Sequence, residues 1–196
     1  MRHGLDQADD AALVRAALAG DEQAYRHLMV RHRQAVYRVA WAQTGQADAA
    51  LDVTQETFIA AFAALARYDP KRPMRWWLGR IALNKGRDWR RRQAVRRFWS
   101  GWRATGDDRG GEEVAAQAPD PAPGPEQEAG ARAELVRTAN AIAGLPAPLR
   151  EAIVLHGVEG MAQRDIAALL GVSEKAVETR VYRARKRLAE VLGEED

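Results

Sequence analysis

Apolar positions recur along this chain with a period close to 3.6 residues and nowhere alternate, a pattern that predicts helices and no strands. A short first helix is expected from about Asp10 to Ala19, ending at Gly20. Asp21 can cap a second, along which Tyr25, Leu28, His32, Val36 and Val39 recur to about Trp41. His32 in that stripe reads as a core or boundary residue. Gly45 ends this helix, and Asp48 can cap a third running to about Arg67. Its apolar side carries Ala50, Val53 or Thr54, Thr57, Phe58, Ala61, Phe62 and Leu65. Two prolines hold Tyr68-Asp-Pro-Lys-Arg-Pro73 out of helix. A fourth helix opens at Met74, with Trp77, Leu78 and Ile81 able to face a core.

From about Ser100 the periodicity disappears into Gly, Pro, Ala and acidic residues, including Pro-Asp-Pro-Ala-Pro-Gly-Pro at 119–125. Such a composition cannot bury a core and reads as a linker. Helix resumes near Ala131 with Leu135, Ala139 and Ile142 on one side; Leu145-Pro-Ala-Pro148 breaks it, and Leu149 to about His156 forms the next. The expected fold is all-α: two small helical domains, 10–98 and 131–192, joined by a flexible linker, 99–130.

The second domain closes on Met161 to Leu188, which has the grammar of a helix-turn-helix. Ile166, Leu169 and Leu170 give a short helix its apolar side, Gly171 suits a left-handed C-terminal position, and Ser173 can cap the helix that follows. On that longer helix, at about 100° per residue, Val177, Val181, Ala184 and Leu188 form one stripe. Opposite them lie Lys175, Thr179, Tyr182, Arg183 and Lys186. A cationic, hydroxyl-bearing face opposed to an apolar stripe suits a helix laid in the major groove of DNA. Ala162 occupies the position where Ser or Thr would cap the shorter helix.

Charge sharpens this division. The formal net charge is only +3, but Lys85, Arg87, Arg90, Arg91, Arg92, Arg96 and Arg97 face only Asp88 along their stretch. Between Thr105 and Glu128, Asp107, Asp108, Glu112, Glu113, Asp120, Glu126 and Glu128 face only Arg109. On the fourth helix Arg80, Asn84, Arg87 and Arg91 share a side, interleaved with Trp76 and Trp89; that side fits phosphate contacts with base stacking, or a charged exterior over core tryptophans. On the third, Asp52, Gln55 and Glu56 form an acidic-polar patch at i, i+3 and i+4, either a solvated face or a docking site.

The absence of cysteine excludes disulfides, thiolate zinc sites and thiol redox sensing. His3, His27, His32 and His156 show no metal spacing, and no nucleophile motif or glycine-rich phosphate loop occurs, so neither an enzyme nor a cofactor is expected. The N-terminus lacks a signal-peptide pattern and no apolar run approaches the roughly 20 residues that span a bilayer. A cytoplasmic protein with no membrane contact of its own is expected.

Asp52-Val-Thr-Gln-Glu-Thr-Phe58, Tyr68-Asp-Pro70, Trp77-Leu-Gly-Arg-Ile-Ala-Leu-Asn84 and Asp88 through Arg92 resemble region 2 of extracytoplasmic-function sigma factors. Leu145-Pro, Leu149-Arg-Glu, Gly160, Ile166-Ala and Val177 through Leu188 resemble their region 4. The resemblance implies a promoter-specificity subunit of bacterial RNA polymerase. It implies that Asp52, Gln55 and Glu56 dock the β′ clamp; that Trp76, Arg80, Asn84, Arg87 and Arg91 meet the melted −10 element; and that Lys175, Thr179, Tyr182, Arg183 and Lys186 meet the −35 duplex, with region 4 also touching the β flap. An anti-sigma factor is a further expected partner. Leu51 departs from the family where a second acid is frequent, and Met74 where an aromatic is. The competing reading is a stand-alone helix-turn-helix regulator, which would footprint promoter DNA without polymerase.

Overall fold

A computed structural model of the chain describes residues 8–103 and 125–193; the central part of the expected linker lies outside them. Eight α-helices make up this structure: α1 (Asp10–Leu18), α2 (Glu22–Thr44), α3 (Ala47–Ala63), α4 (Met74–Arg103), α5 (Pro125–Gly144), α6 (Ala147–Ile153), α7 (Gln163–Leu170) and α8 (Glu174–Leu192). No strand occurs among the described residues.

Local chemistry sets most helix ends. Asp9 caps α1 by accepting from the Ala12 N–H at 2.6 Å, and Asp21 caps α2 by accepting from Gln23 at 2.8 Å. Gly45 closes α2 in the left-handed region, φ +69°. The third helix starts two residues earlier than expected: Gln46, without a side-chain bond, occupies the cap position, and Asp48 lies inside the first turn. An acid there favours the positive helix end without capping it. α3 ends at Ala63 and continues as a tight turn, Leu65–Arg67.

α4 passes through Ser100-Gly101 to Arg103, and α5 begins at Pro125 rather than near Ala131. The first extension reflects the modest cost of a Ser-Gly pair in a helix, about 1–2 kcal/mol, too little to stop it where neighbours propagate. The second reflects proline's fitness for the first helical position, where no N–H partner is needed.

The first domain is organised around α2, which packs against α1, α3 and α4. Leu13, Leu28, Val36, Phe58, Leu78 and Leu83 are among its buried residues, and both Val53 and Thr54 are inside. Tyr25 meets Phe62 edge-on at 4.9 Å between ring centres, joining α2 to α3. Tyr68 lies tilted against Trp77, ring centres 5.5 Å apart, and donates to the Arg72 carbonyl at 2.6 Å, closing the proline loop. Met74 is fully buried, so an aliphatic side chain fills the place where an aromatic is frequent.

In the second domain α5, α6 and α7 pack around α8. After Ile153 the α6 backbone loosens into one π-helical turn, Val154–Val158, before Gly160 reverses the chain. The domains touch: α5 and the π-helical turn rest on α2, and α6 reaches α4.

Candidate nucleic-acid and polymerase interfaces

The helix-turn-helix forms as its residues dictate. Ala162 holds an extended cap conformation without a side-chain bond, Gly171 takes φ +68°, and the Ser173 hydroxyl accepts from the Ala176 N–H at 3.2 Å. Val177, Val181 and Ala184 are buried and Leu188 packs at the edge of the core. The opposite face is thereby turned to solvent: Lys175, Tyr182, Arg183 and Lys186 are exposed and Thr179 is half-buried. Lys175 pairs with Glu178 at 2.9 Å, and the Thr179 hydroxyl donates to the Lys175 carbonyl at 2.8 Å. Arg183 and Lys186 also border an open cleft of about 520 Å³ between α8 and the start of α6, floored by Pro146, Pro148 and Leu149. A cationic rim over an apolar floor results.

On α4 the expected set separates. Arg80 and Asn84 are exposed, and Arg91 is exposed with Asp88 beside it at 3.1 Å. Trp76 is half-buried against the core, its indole N–H enclosed without an acceptor among the described residues, and the Arg75 guanidinium lies 5.8 Å from its ring. Arg87 is engaged elsewhere. Its Nε and Nη2 donate to the two carboxylate oxygens of Glu151 on α6, at 2.6 and 2.5 Å. These hydrogen bonds, set against the opposing effect of burial, raise the guanidinium above its usual range.

The acidic patch on α3 also divides. Asp52 and Gln55 are exposed, whereas Glu56 holds Lys85 at 3.5 Å and Arg92 at 3.4 Å, tying α3 to α4. Leu51 and Ile59 stand exposed beside Asp52 and Gln55, Ile59 at 70%. Ile59 falls outside the apolar stripe of α3, which was the one sign in the sequence that it faces outward.

Periodicity gave no sign of the polar network where the domains meet. Arg150 on α6 is only 1% exposed. It donates to the Gln43 Oε1 at 3.2 Å and to the carbonyls of Ala143 and Leu145 at 3.2 and 2.6 Å. Arg90 on α4 donates to the carbonyls of Gln43 and Ala143. Burial, and then the neighbouring Arg90 charge, draw Arg150 down to about 10, which still leaves it charged at neutral pH. Glu159 completes the seam, 3.4 Å from Arg38 of α2.

The family model for sigma-70 region 2 matches residues 28–96, and that for sigma-70 region 4 matches residues 135–188. The chain is 42% identical to the RNA polymerase sigma factor CnrH of Cupriavidus metallidurans, over 93% of this chain and 94% of that protein. It is 39% identical to the RNA polymerase sigma factor NccH of Alcaligenes xylosoxydans xylosoxydans, over 95% and 96%. Its fold is similar to that of CnrH solved in complex with the cytosolic domain of CnrY, with a TM-score of 0.64 and 34% identity over 95% of this chain and 99% of that one.

Proposed function

The chain belongs to the sigma-70 family, in its extracytoplasmic-function group of RNA polymerase sigma factors, and on that premise we propose how its residues divide the work of promoter recognition. Asp52 and Gln55, flanked by Leu51 and Ile59, dock the β′ clamp, and Glu56 holds that face rigid through Lys85 and Arg92. An acidic centre with an apolar flank suits a basic partner helix, combining charge steering with buried anchors. Arg80, Asn84, Arg87 and Arg91 track the melted −10 strand, and the exposed part of Trp76 offers a stacking surface. Lys175 and Thr179, at the start of α8, meet base edges of the −35 duplex; Tyr182, Arg183 and Lys186 meet its backbone.

The observation that carries this reading is α8 itself, whose buried stripe of Val177, Val181 and Ala184 turns Lys175, Thr179, Tyr182, Arg183 and Lys186 outward. The protein acts without a catalytic centre or cofactor of its own; the polymerase supplies the chemistry. It works in the cytoplasm, where polymerase and promoter are, and region 4 also touches the β flap. The binding of CnrY's cytosolic domain to CnrH supports an anti-sigma partner here as well.

Transcription with purified core polymerase on a library of promoter fragments tests the reading. Specific initiation that depends on the added chain is expected, together with weak footprinting by the chain alone. Strong, sequence-specific footprinting without polymerase, and no initiation with it, would identify a stand-alone regulator instead.

A further inference from the structure

α8 presents an acid to the DNA it is built to read. Glu174 lies in the first turn, where the positive helix end accommodates a carboxylate, but Glu178 lies a turn further in, beyond the reach of that effect. Its side chain is 55% exposed and sits 2.9 Å from that of Lys175, which is 81% exposed. Lys175, Glu178 and Tyr182 are spaced at i, i+3 and i+7, so they share one side of the helix, and all three are exposed. The ion pair alone does not account for the acid. An exposed pair three residues apart contributes little to a helix, and less with the cation on the N-terminal side. On a surface that meets phosphates, a carboxylate is repelled unless a donor answers it.

The major groove offers such a donor in only two places, N4 of cytosine and N6 of adenine. Each is hydrogen-bonded within its base pair to a carbonyl oxygen, O6 of guanine or O4 of thymine, at the ordinary N–H···O spacing of about 2.9 Å. Lys175 and Glu178 carry the complementary order at the same spacing, a cationic donor and an acceptor 2.9 Å apart. Oε2 of Glu178 accepts from Lys175, and Oε1 has no partner among the described residues. Flanking groups then separate the two base pairs. On C·G, guanine N7 adds a second acceptor beside O6 for the ammonium, and no acceptor beside N4 opposes the carboxylate. On A·T, adenine N7 sets an acceptor against the carboxylate, and the thymine methyl crowds the ammonium.

We propose that Lys175 and Glu178 act as one unit selecting a single C·G base pair in the −35 element, with Glu178 accepting from cytosine N4 and Lys175 donating to O6 and N7 of its guanine. This rests on the duplex-reading role given to α8 above. The acid works chiefly by exclusion, because a base that turns an acceptor towards a desolvated carboxylate is repelled. Removing Glu178 should therefore raise the use of wrong promoters, whereas removing an ordinary phosphate contact lowers the use of all.

Initiation by core polymerase with the full chain, measured across a promoter library randomised through the −35 region, tests this. The unmodified chain should prefer C·G at one position by about five- to hundredfold over the other base pairs. Glu178→Ala should lose that preference through increased use of the other base pairs, with selection elsewhere retained. Glu178→Gln keeps the shape but sets a donor beside the acceptor, which matches N7 and N6 of adenine, and should move the same position towards A·T. Lys175→Ala should act at that position too, and the double alanine variant should add nothing there to the more severe single one. A chain that selects no C·G pair overturns the proposal, as do unchanged profiles in both Glu178 variants. Effects of Lys175 and Glu178 at different base pairs, or a uniform loss on all promoters, overturn it equally. Should Glu178→Ala lose helical content, the near-isosteric Gln variant decides. Duplexes selected by the chain alone at low salt separate this proposal from the function above. A C·G preference that follows Glu178 there, without initiation when polymerase is present, would keep the base-reading pair and remove the sigma-factor role. Initiation that depends on the chain but ignores Glu178 would do the reverse.

Discussion

Gly86 on α4 lies so close to Gln43 on α2 that a Cβ at Gly86 would fall 2.5 Å from the Cβ of Gln43. That approach brings α4 down on α2, puts the Gln43 carbonyl within reach of Arg90, and leaves the Gln43 Oε1 pointing to Arg150. In an unconstrained helix Gly→Ala would stabilise by about 1 kcal/mol. Here the methyl must push two packed helices apart, an overpacking cost of about 1–3 kcal/mol that should outweigh the propensity gain. Gly86→Ala should therefore lower the midpoint of thermal unfolding and loosen the seam. A raised midpoint would show that the helices can separate freely.

The α3 patch should separate binding from stability. Asp52 is exposed and makes no hydrogen bond or ion pair among the described residues, so Asp52→Lys should weaken capture of core polymerase by about tenfold, or about 1.4 kcal/mol, with unchanged unfolding. Glu56→Lys should weaken capture too, and it also turns the pairs with Lys85 and Arg92 into repulsion. Because those pairs are partly solvated, the accompanying stability loss should stay within about 1 kcal/mol. Normal capture by both variants in a pull-down would remove the patch from the polymerase interface.

The recognition helix should divide reading from anchoring. Lys175→Ala should relax preference at one −35 base pair by about 1–3 kcal/mol. Arg183→Ala should weaken all promoters alike and lower the salt slope by about one. The partners within the helix matter to the comparison: losing Lys175 also frees Glu178, 2.9 Å away, to repel phosphate. Indistinguishable preference profiles for the two variants across a promoter library would refute the division.

Asp10 makes the packing of α1 pH-dependent. Its carboxylate meets His32 and Arg31, each at 3.0 Å. Burial pushes the carboxyl up, but the hydrogen bonds and charges of His32 and Arg31 together outweigh it and hold it below its usual range. A carboxyl lowered on folding contributes stability that is present above its unfolded value, about 3.9, and is lost as pH falls through the folded one. Asp10→Asn should thus cost about 0.5–1.5 kcal/mol at neutral pH and flatten the loss of stability below about pH 4. Acid unfolding curves of equal slope would show that Asp10 contributes nothing to the acid limb.

The sequence by itself determined what depends on neighbours a few residues apart. Asp21, Gly45, Gly171 and Ser173 act through bonds to adjacent turns, so their places were legible. The opposed stripes of α8 follow from helical geometry and one buried face. Even local reading failed where two options were close in energy, as at Gln46 and Asp48, or where Ser100-Gly101 did not break α4. Only the tertiary structure decided which charged residues are occupied. Arg87 and Glu151 are 64 positions apart, and Gln43 and Arg150 are 107 apart. An arginine aimed at DNA and one aimed at a carboxylate in the other domain occupy the same kind of position on a helix. What distinguishes them is which surface arrives opposite, and that is settled by packing between domains, which leaves no period in the chain.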